Sequence, residues 1–462
     1  MEVIMDAIKQ VIKNVPEYTF FKTVDELNES SRELAEKHPD IASFYQVGNS
    51  MAGDPIYCLK IGKGSKAILL YGFPHPNEPI GSMMLDYLSW QLAENEAFRN
   101  RFEDVSWYIV KAADNDGAKL NEGWFKGPYT PLNYALNFYR PAGYQQVEWT
   151  FPIKYKTLDN NDPIPETKAL MKIIEEVKPV FIYSLHNAGF GGVYNYISED
   201  APILYPIFEK AYTDLDIPAA LGEPEMPYAV KFADAVYKMP TTVDTYEFYA
   251  ANSDKDPAEI IGKSGTCSYD YGRLFNEKVF ELVCEVPYYY NPKIEDLSLT
   301  EFVRRDLVLA NLENMKSNYQ KIKDIYFPLK EKIVIESPLK TALDHFIESA
   351  DKHLPVQENW AKTAKELDAR ATVAEAFDNG PVSKTYKMLM WGMLRRILLL
   401  NFEKTGECEF KEAAEKVHKQ MKEMSDALED ELDYVVIPIK KLVQMQLMSG
   451  LYAALYAIEK NS

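Results

Sequence analysis

The chain has 462 residues, 47% apolar and 26% charged, with a formal charge of −19 and four scattered cysteines. The length suggests two or three domains, and the mix is that of a globular protein with a large core. The negative charge argues against nucleic-acid binding, and cysteines without a CxxC pair argue against both a disulfide scaffold and a zinc–thiolate site.

The segment MEVIMDAIKQVIKNVPEY reads as an amphipathic helix without the basic start, apolar run and cleavage site of a signal peptide. The apolar run MLMWGMLRRILLL is broken by Arg395 and Arg396 and is too short to span a bilayer. A cytoplasmic protein with no membrane contact is the expectation. Up to about residue 300, helical segments such as SMMLDYLSWQLAENEAFRNR and ETKALMKIIEEVK alternate with β-rich runs: AILLYGF, VSWYIVKAA, VFIYSL, GVYNYIS and KVFELVCEVPYY. This alternation predicts an α/β fold, a mixed central sheet flanked by helices. Beyond that point the apolar residues recur at helical spacing and glycine is scarce. The expected division is 1–305, an α/β catalytic domain, and 306–462, an all-helical domain without strands whose methionine-rich faces form packed core.

Two of the six histidines stand where such a sheet concentrates function. His75 follows AILLYG and precedes Glu78 by three residues, and Pro79 opens the next helix. An imidazole and a carboxylate on one short turn suit zinc, although a loop histidine bonded to its neighbours fits the same residues. His186 ends the apolar strand Val180–Leu185. Sheets of this class place ligands at the C-terminal edge of their strands. Two histidines and one glutamate leave a coordination position for water, the catalytic arrangement. A hydrolase then needs a general base. In KVFELVCEV, Glu281 and Glu285 fall on one face of a strand, where carboxylates are costly unless paired, functional or at a solvated edge. His38, His345, His353 and His418 read as solvated.

In chain order, HPNEP, DNDG (Asp114–Gly117), DPIPETKALMKIIEEVKP, SLHNAGFGG and CEVPYYYNP together resemble the motifs of the zinc carboxypeptidase family. The resemblance implies a zinc ion (Zn2+) bound by His75, Glu78 and His186. It implies Glu285 rather than Glu281 as the base, and Arg140 in NFYRPAG as the group that stabilises the oxyanion. The tyrosine that caps substrate in many relatives is not assignable among Tyr246, Tyr249, Tyr269 and Tyr271.

The chain also departs from the family. Where members carry Asn-Arg to grip a terminal carboxylate, VEWTFP has Glu148 and Trp149. Glu148 is expected at the substrate, where it would repel a free carboxylate and favour a cationic or amidated group. Alternatively Lys126, Lys154 or Arg273 supplies the carboxylate contact. Asp114 stands where the family has Asn. The expected function is a zinc-dependent metallopeptidase of atypical specificity acting on a peptide or small amide. The alternatives are a deacylase of N-acyl amino acids and a non-catalytic binding protein.

Overall fold

A computed structural model describes residues 2–462, with side chains from residue 7 onward. At its centre is a nine-stranded sheet. The strands are β1 (Ala42–Asn49), β2 (Pro55–Ile61), β3 (Lys66–Tyr71), β4 (Val105–Val110), β5 (Phe181–His186), β6 (Tyr194–Ile197), β7 (Lys231–Ala233), β8 (Val236–Lys238) and β9 (Phe280–Glu285). Their order across the sheet is β1-β2-β4-β3-β5-β9-β6-β8-β7. The middle four, β4, β3, β5 and β9, run parallel. On one side β1 and β2 join antiparallel, and on the other β6 lies antiparallel to β9.

Composition explains the layout. β5 and β9 are buried at every position, as parallel strands covered on both faces must be. Being central, β9 cannot hold Glu281 or Glu285 as edge charges facing water. Register sets Glu285 beside His186 and Tyr71 beside Ser184. The C-terminal ends of three neighbouring parallel strands therefore bring the motif residues to one rim.

Helices cover the faces: α1 (Glu2–Lys13), α2 (Val24–Lys37), α3 (Ile80–Glu94), α4 (Pro165–Val177) and α5 (Tyr205–Asp214). After the sheet come α6 (Arg304–Lys330), α7 (Pro338–Thr363), α8 (Ser383–Thr405), α9 (Cys408–Leu432) and α10 (Ile439–Lys460). α8 pairs with α9 and α6 with α7, while α10 returns to the sheet and packs on α3, α5, β5 and β9. The Gly450 position shows how closely: an added Cβ would lie 2.3 Å from the Tyr183 ring. Each of the buried Leu442, Val443, Leu447 and Leu451 stabilises this packing by about 1.5–3 kcal/mol.

Packing crosses the expected boundary at residue 305. A single apolar cluster contains Leu70, Leu185 and Cys284 from the sheet together with Leu394 of α8 and Val443 of α10. Residues 304–432, called the helical unit below, stand in the chain between the sheet and the last helix that covers it. Short strands also occur late in the chain, at Arg370–Thr372 and Val435–Val436, where two or three residues are too few to give a periodic signal. Met388, Met393, Met421 and Met445 are packed core as expected.

Candidate metal centre

The first ligand loop leaves β3 through Gly72 and Phe73. Phe73 is buried at a φ of 51°, a left-handed conformation that an aromatic residue keeps only where its surroundings over-determine it. His75 and Glu78 follow, and Pro79 caps α3. At Gly81 a Cβ would come 2.4 Å from Leu185 Cβ, so glycine lets the start of α3 lie against β5. The Ile80 N–H donates to Asn187 Oδ1 at 3.0 Å, and Tyr288 Oη reaches the Asn77 carbonyl at 2.9 Å and Asn187 Oδ1 at 3.2 Å. These bonds hold the loop carrying His75 and Glu78 against the strand carrying His186.

The candidate ligand atoms face one another. His186 Nδ1 lies 3.1 Å from His75 Nδ1 and 3.0 Å from Glu78 Oε2, and His75 Nδ1 lies 3.1 Å from Glu78 Oε1. Donors on one tetrahedral zinc at about 2.0–2.2 Å stand about 3.4 Å apart, so the set fits that ion with little adjustment. The Glu285 carboxylate is 3.8 Å from His186 Nδ1, and its Oε2 is buried without a hydrogen-bond partner. Arg140 Nη2 bonds Glu78 Oε1, while Arg140 Nε and His75 Nε2 are buried and unpartnered.

Environment drives the two imidazoles apart. Burial, then the Arg140 charge, lowers His75 to about 3. Burial pulls His186 down too, but the Glu78 hydrogen bond and the Glu78, Glu285 and Glu148 charges outweigh it and raise His186 to about 9. Burial raises the Glu285 carboxyl well above the usual range, with His186 opposing. A cation held by these groups would displace the His186 proton and favour the charged form of Glu285.

Behind His186 runs a buried chain of hydrogen bonds. Ser184 Oγ is 2.9 Å from His186 Nε2 and donates to Glu148 Oε1 at 2.7 Å. The Tyr71 hydroxyl also donates to Glu148, and it meets Ser268 Oγ at 2.7 Å. Ser268 in turn donates to Glu281 Oε1 at 2.6 Å. Burial, and then the Glu148 charge, pushes the Glu281 carboxyl well above the usual range. Glu281 is thus a paired interior acid, and Glu285 is the carboxylate at the cavity.

Glu148 is the main correction to the substrate-recognition reading. Its side chain is buried, 4% exposed, and turns inward to Tyr71 and Ser184 rather than joining the cavity lining. Offset along the sequence gave the right neighbourhood but not the direction of the side chain. Lys126, Lys154 and Arg273 do not line the cavity either. Lys154 pairs with Asp159 at 2.8 Å, and Arg273 lies over the Tyr269 ring.

The cavity holds about 580 Å³, within the usual range for small-ligand sites. His75, Glu78, Arg140 and Glu285 line one part, and Met315, Tyr319, Phe346, Tyr386, Lys387 and Met390 of the helical unit line another. The sequence gave no sign of the second group, because helical spacing is the same for core and cavity positions. Its tyrosines are Tyr134, Tyr194, Tyr237, Tyr319 and Tyr386; none of the four considered from sequence is among them. His345 and His353 are half-buried rather than fully solvated. They pack across the unit boundary, on the Tyr144 ring and within 2.5 Å of Tyr249 Oη, whereas His418 is exposed.

A mixed sheet with two histidines and a glutamate gathered at its strand ends defines a metallohydrolase-like architecture. The sequence model of the family described as zinc carboxypeptidase matches residues 27–301, and the chain belongs to that family. Carboxypeptidase B of Astacus astacus is 29% identical over 105 residues, which cover 22% of this chain and 35% of that protein. The chain therefore matches about a third of that relative's length. Among solved structures, carboxypeptidase A of Helicoverpa armigera aligns over 79% of this chain and 81% of its own, at 14% identity and a TM-score of 0.40. A metallo-carboxypeptidase of Burkholderia cenocepacia aligns over 60% and 61%, at 15% identity and a TM-score of 0.32. Among the described residues, no helix is long and apolar enough to cross a membrane.

Proposed function

We propose that this chain is a zinc-dependent metallopeptidase that hydrolyses a peptide or amide bond in the cavity at the ends of β5 and β9. The observation that carries this reading is the convergence of His75, Glu78 and His186 within about hydrogen-bond distance of one another, with Glu285 alongside. His75 and His186 would hold the ion through Nδ1 and Glu78 through its carboxylate, the atoms that face one another. A bound zinc supplies a Lewis acid and an acidified water. Glu285 takes the proton of the attacking water and delivers it to the leaving nitrogen. Arg140 stabilises the oxyanion that develops on the scissile carbonyl. The likeness to a carboxypeptidase B supports a peptide as the substrate class.

Zinc analysis and a mixed panel of peptides and N-acyl amino acids test this reading. Peptide hydrolysis should vanish on chelation and return with zinc. Glu285→Gln should keep the zinc and lose about 10²–10⁴-fold in turnover. Turnover confined to N-acyl amino acids would replace the reading with a deacylase, and stoichiometric zinc without turnover would replace it with a binding protein.

A further inference from the structure

The core's usual device for gripping a terminal carboxylate is missing, and Glu148 at that position is sealed in the interior. The question is whether another group in the cavity attracts an anion. Apart from His75, the lining contains two basic side chains, Arg140 and Lys387. Arg140 stands at Glu78, beside the metal ligands. Lys387 comes from α8 in the helical unit.

Lys387 differs from its neighbours in having no counter-charge. Lys384, one turn earlier, pairs with Glu431 at 2.7 Å. The cavity's Glu223 pairs with Arg304 at 2.6 Å, and its Glu225 accepts from the Tyr196 hydroxyl at 3.0 Å. Lys387 forms no ion pair among the described residues. Its half-buried ammonium donates to Asn311 Oδ1 at 3.0 Å, a neutral acceptor already used by Ser383 at 2.5 Å. An ammonium has three donors, so two remain for a ligand. Burial, with Lys384 adding, lowers it to about 8, which leaves it mostly charged at neutral pH.

Lys387 is also held in register with the metal centre. The adjacent Tyr386 places its hydroxyl 3.1 Å from the Gly189 N–H, the Phe190 N–H and the Phe190 carbonyl. Those residues belong to the loop that directly follows His186. The helix bearing the cation is thereby fixed to the strand end bearing a ligand.

We propose that Lys387 is a substrate-anion site: it takes a carboxylate of the substrate lying beyond the scissile bond, so the helical unit supplies the recognition that the core has lost. The proposal rests on the peptidase reading above and assigns Lys387 the choice of substrate, not the chemistry. A carboxylate can come from a free C-terminus or from an acidic terminal side chain, and the probes separate these sources.

The test uses zinc-loaded full-length protein and three N-acetyl peptide sets: free acid with a neutral terminal side chain, the matching C-terminal amide, and an amide with a terminal Glu. Both kcat/KM and equilibrium binding to the Glu285→Gln protein are measured. Wild type should favour one carboxylate-bearing set over the neutral amide. Lys387→Met should reduce that preference by about tenfold to a hundredfold, Lys387→Glu should reverse it, and Lys384→Met should leave it unchanged. Preference for the free acid assigns the site to a C-terminus, and preference for the Glu amide assigns it to a side chain. Equal binding of all sets by wild type, or a preference that survives Lys387→Met, overturns the proposal. Binding without turnover by wild type fails the peptidase reading alone. Zinc content and melting temperature, followed in each variant, separate these outcomes from misfolding.

Discussion

The wall carrying His75, His186 and Glu285 and the wall carrying Tyr386 and Lys387 enclose the same cavity but are made differently. The first sits at the ends of parallel strands, where register fixes Glu285 against His186 and a second layer of Ser184 and Glu148 holds the imidazole. The second is one face of a helix, whose Tyr386 phenol bonds the loop after His186 and whose Arg396 bonds the Leu120, Asn137 and Phe138 carbonyls. On the proposed reading, chemistry, which tolerates little displacement, would rest on the sheet, and recognition, which tolerates more, on the helices. Substrate preference can then change by replacing helix-face residues without disturbing the ligands.

The largest test of this division is His186→Ala. It should abolish stoichiometric zinc by elemental analysis and cut hydrolysis by at least about 10³-fold, while free-acid and amide probes stay distinguishable by binding. Loss of that discrimination would show that the walls are not separable. Next comes Ser184→Ala, which breaks the link from His186 Nε2 to Glu148. Zinc affinity, measured by competition with a chelator, should fall by about 10–100-fold. Retained affinity would make the buried chain structural only.

The fastening between the walls is tested by Tyr386→Phe. It removes hydrogen bonds to the loop after His186 and should reduce the preference for the carboxylate-bearing peptide by about fivefold through KM, with kcat nearly constant. A drop in kcat alone would mean that the phenol serves the chemical step.

The last effect is on stability rather than on the site, and concerns Asp114. Burial raises its carboxyl to about 8; the Gly117 N–H opposes this, and Glu166 and Asp116 add to it. The unfolded chain releases that proton near pH 4, so between about pH 4 and 8 the folded state holds a proton the unfolded state has lost. Stability therefore falls as pH rises through that window. Asp114→Asn removes the titration, and thermal melts should show the variant gaining on wild type by more than ~1 kcal/mol between pH 5 and 8.

The two walls were also unequally legible. His75, Glu78 and His186 could be singled out because a metal site demands few residue types at strand ends, and strand ends show as apolar runs; the preference for Glu285 over Glu281 came from the family resemblance. The strand order followed less directly, since pairing between distant segments leaves no local trace. Glu148 was misread because a 3₁₀ turn at Val147–Trp149 directs it inward, and residue spacing carries no such direction. Lys387 was passed over because α8 repeats apolar residues as a core helix does. The return of α10 was hidden for a related reason: an apolar face says that something covers it, not what.

That return has a consequence for synthesis. The helix that seals β5 and β9 is separated from them by residues 304–432, so those strands leave the ribosome long before their cover. Gln446 of α10 donates to the backbone carbonyls of His186, at 2.8 Å, and Cys284, at 3.2 Å, beside the ligand strand end and the base. A nascent or truncated chain lacking α10 exposes a bare apolar sheet face, the kind of surface that quality-control proteases and chaperones bind. The strand ends that carry His186 and Glu285 are braced only once the last helix is made.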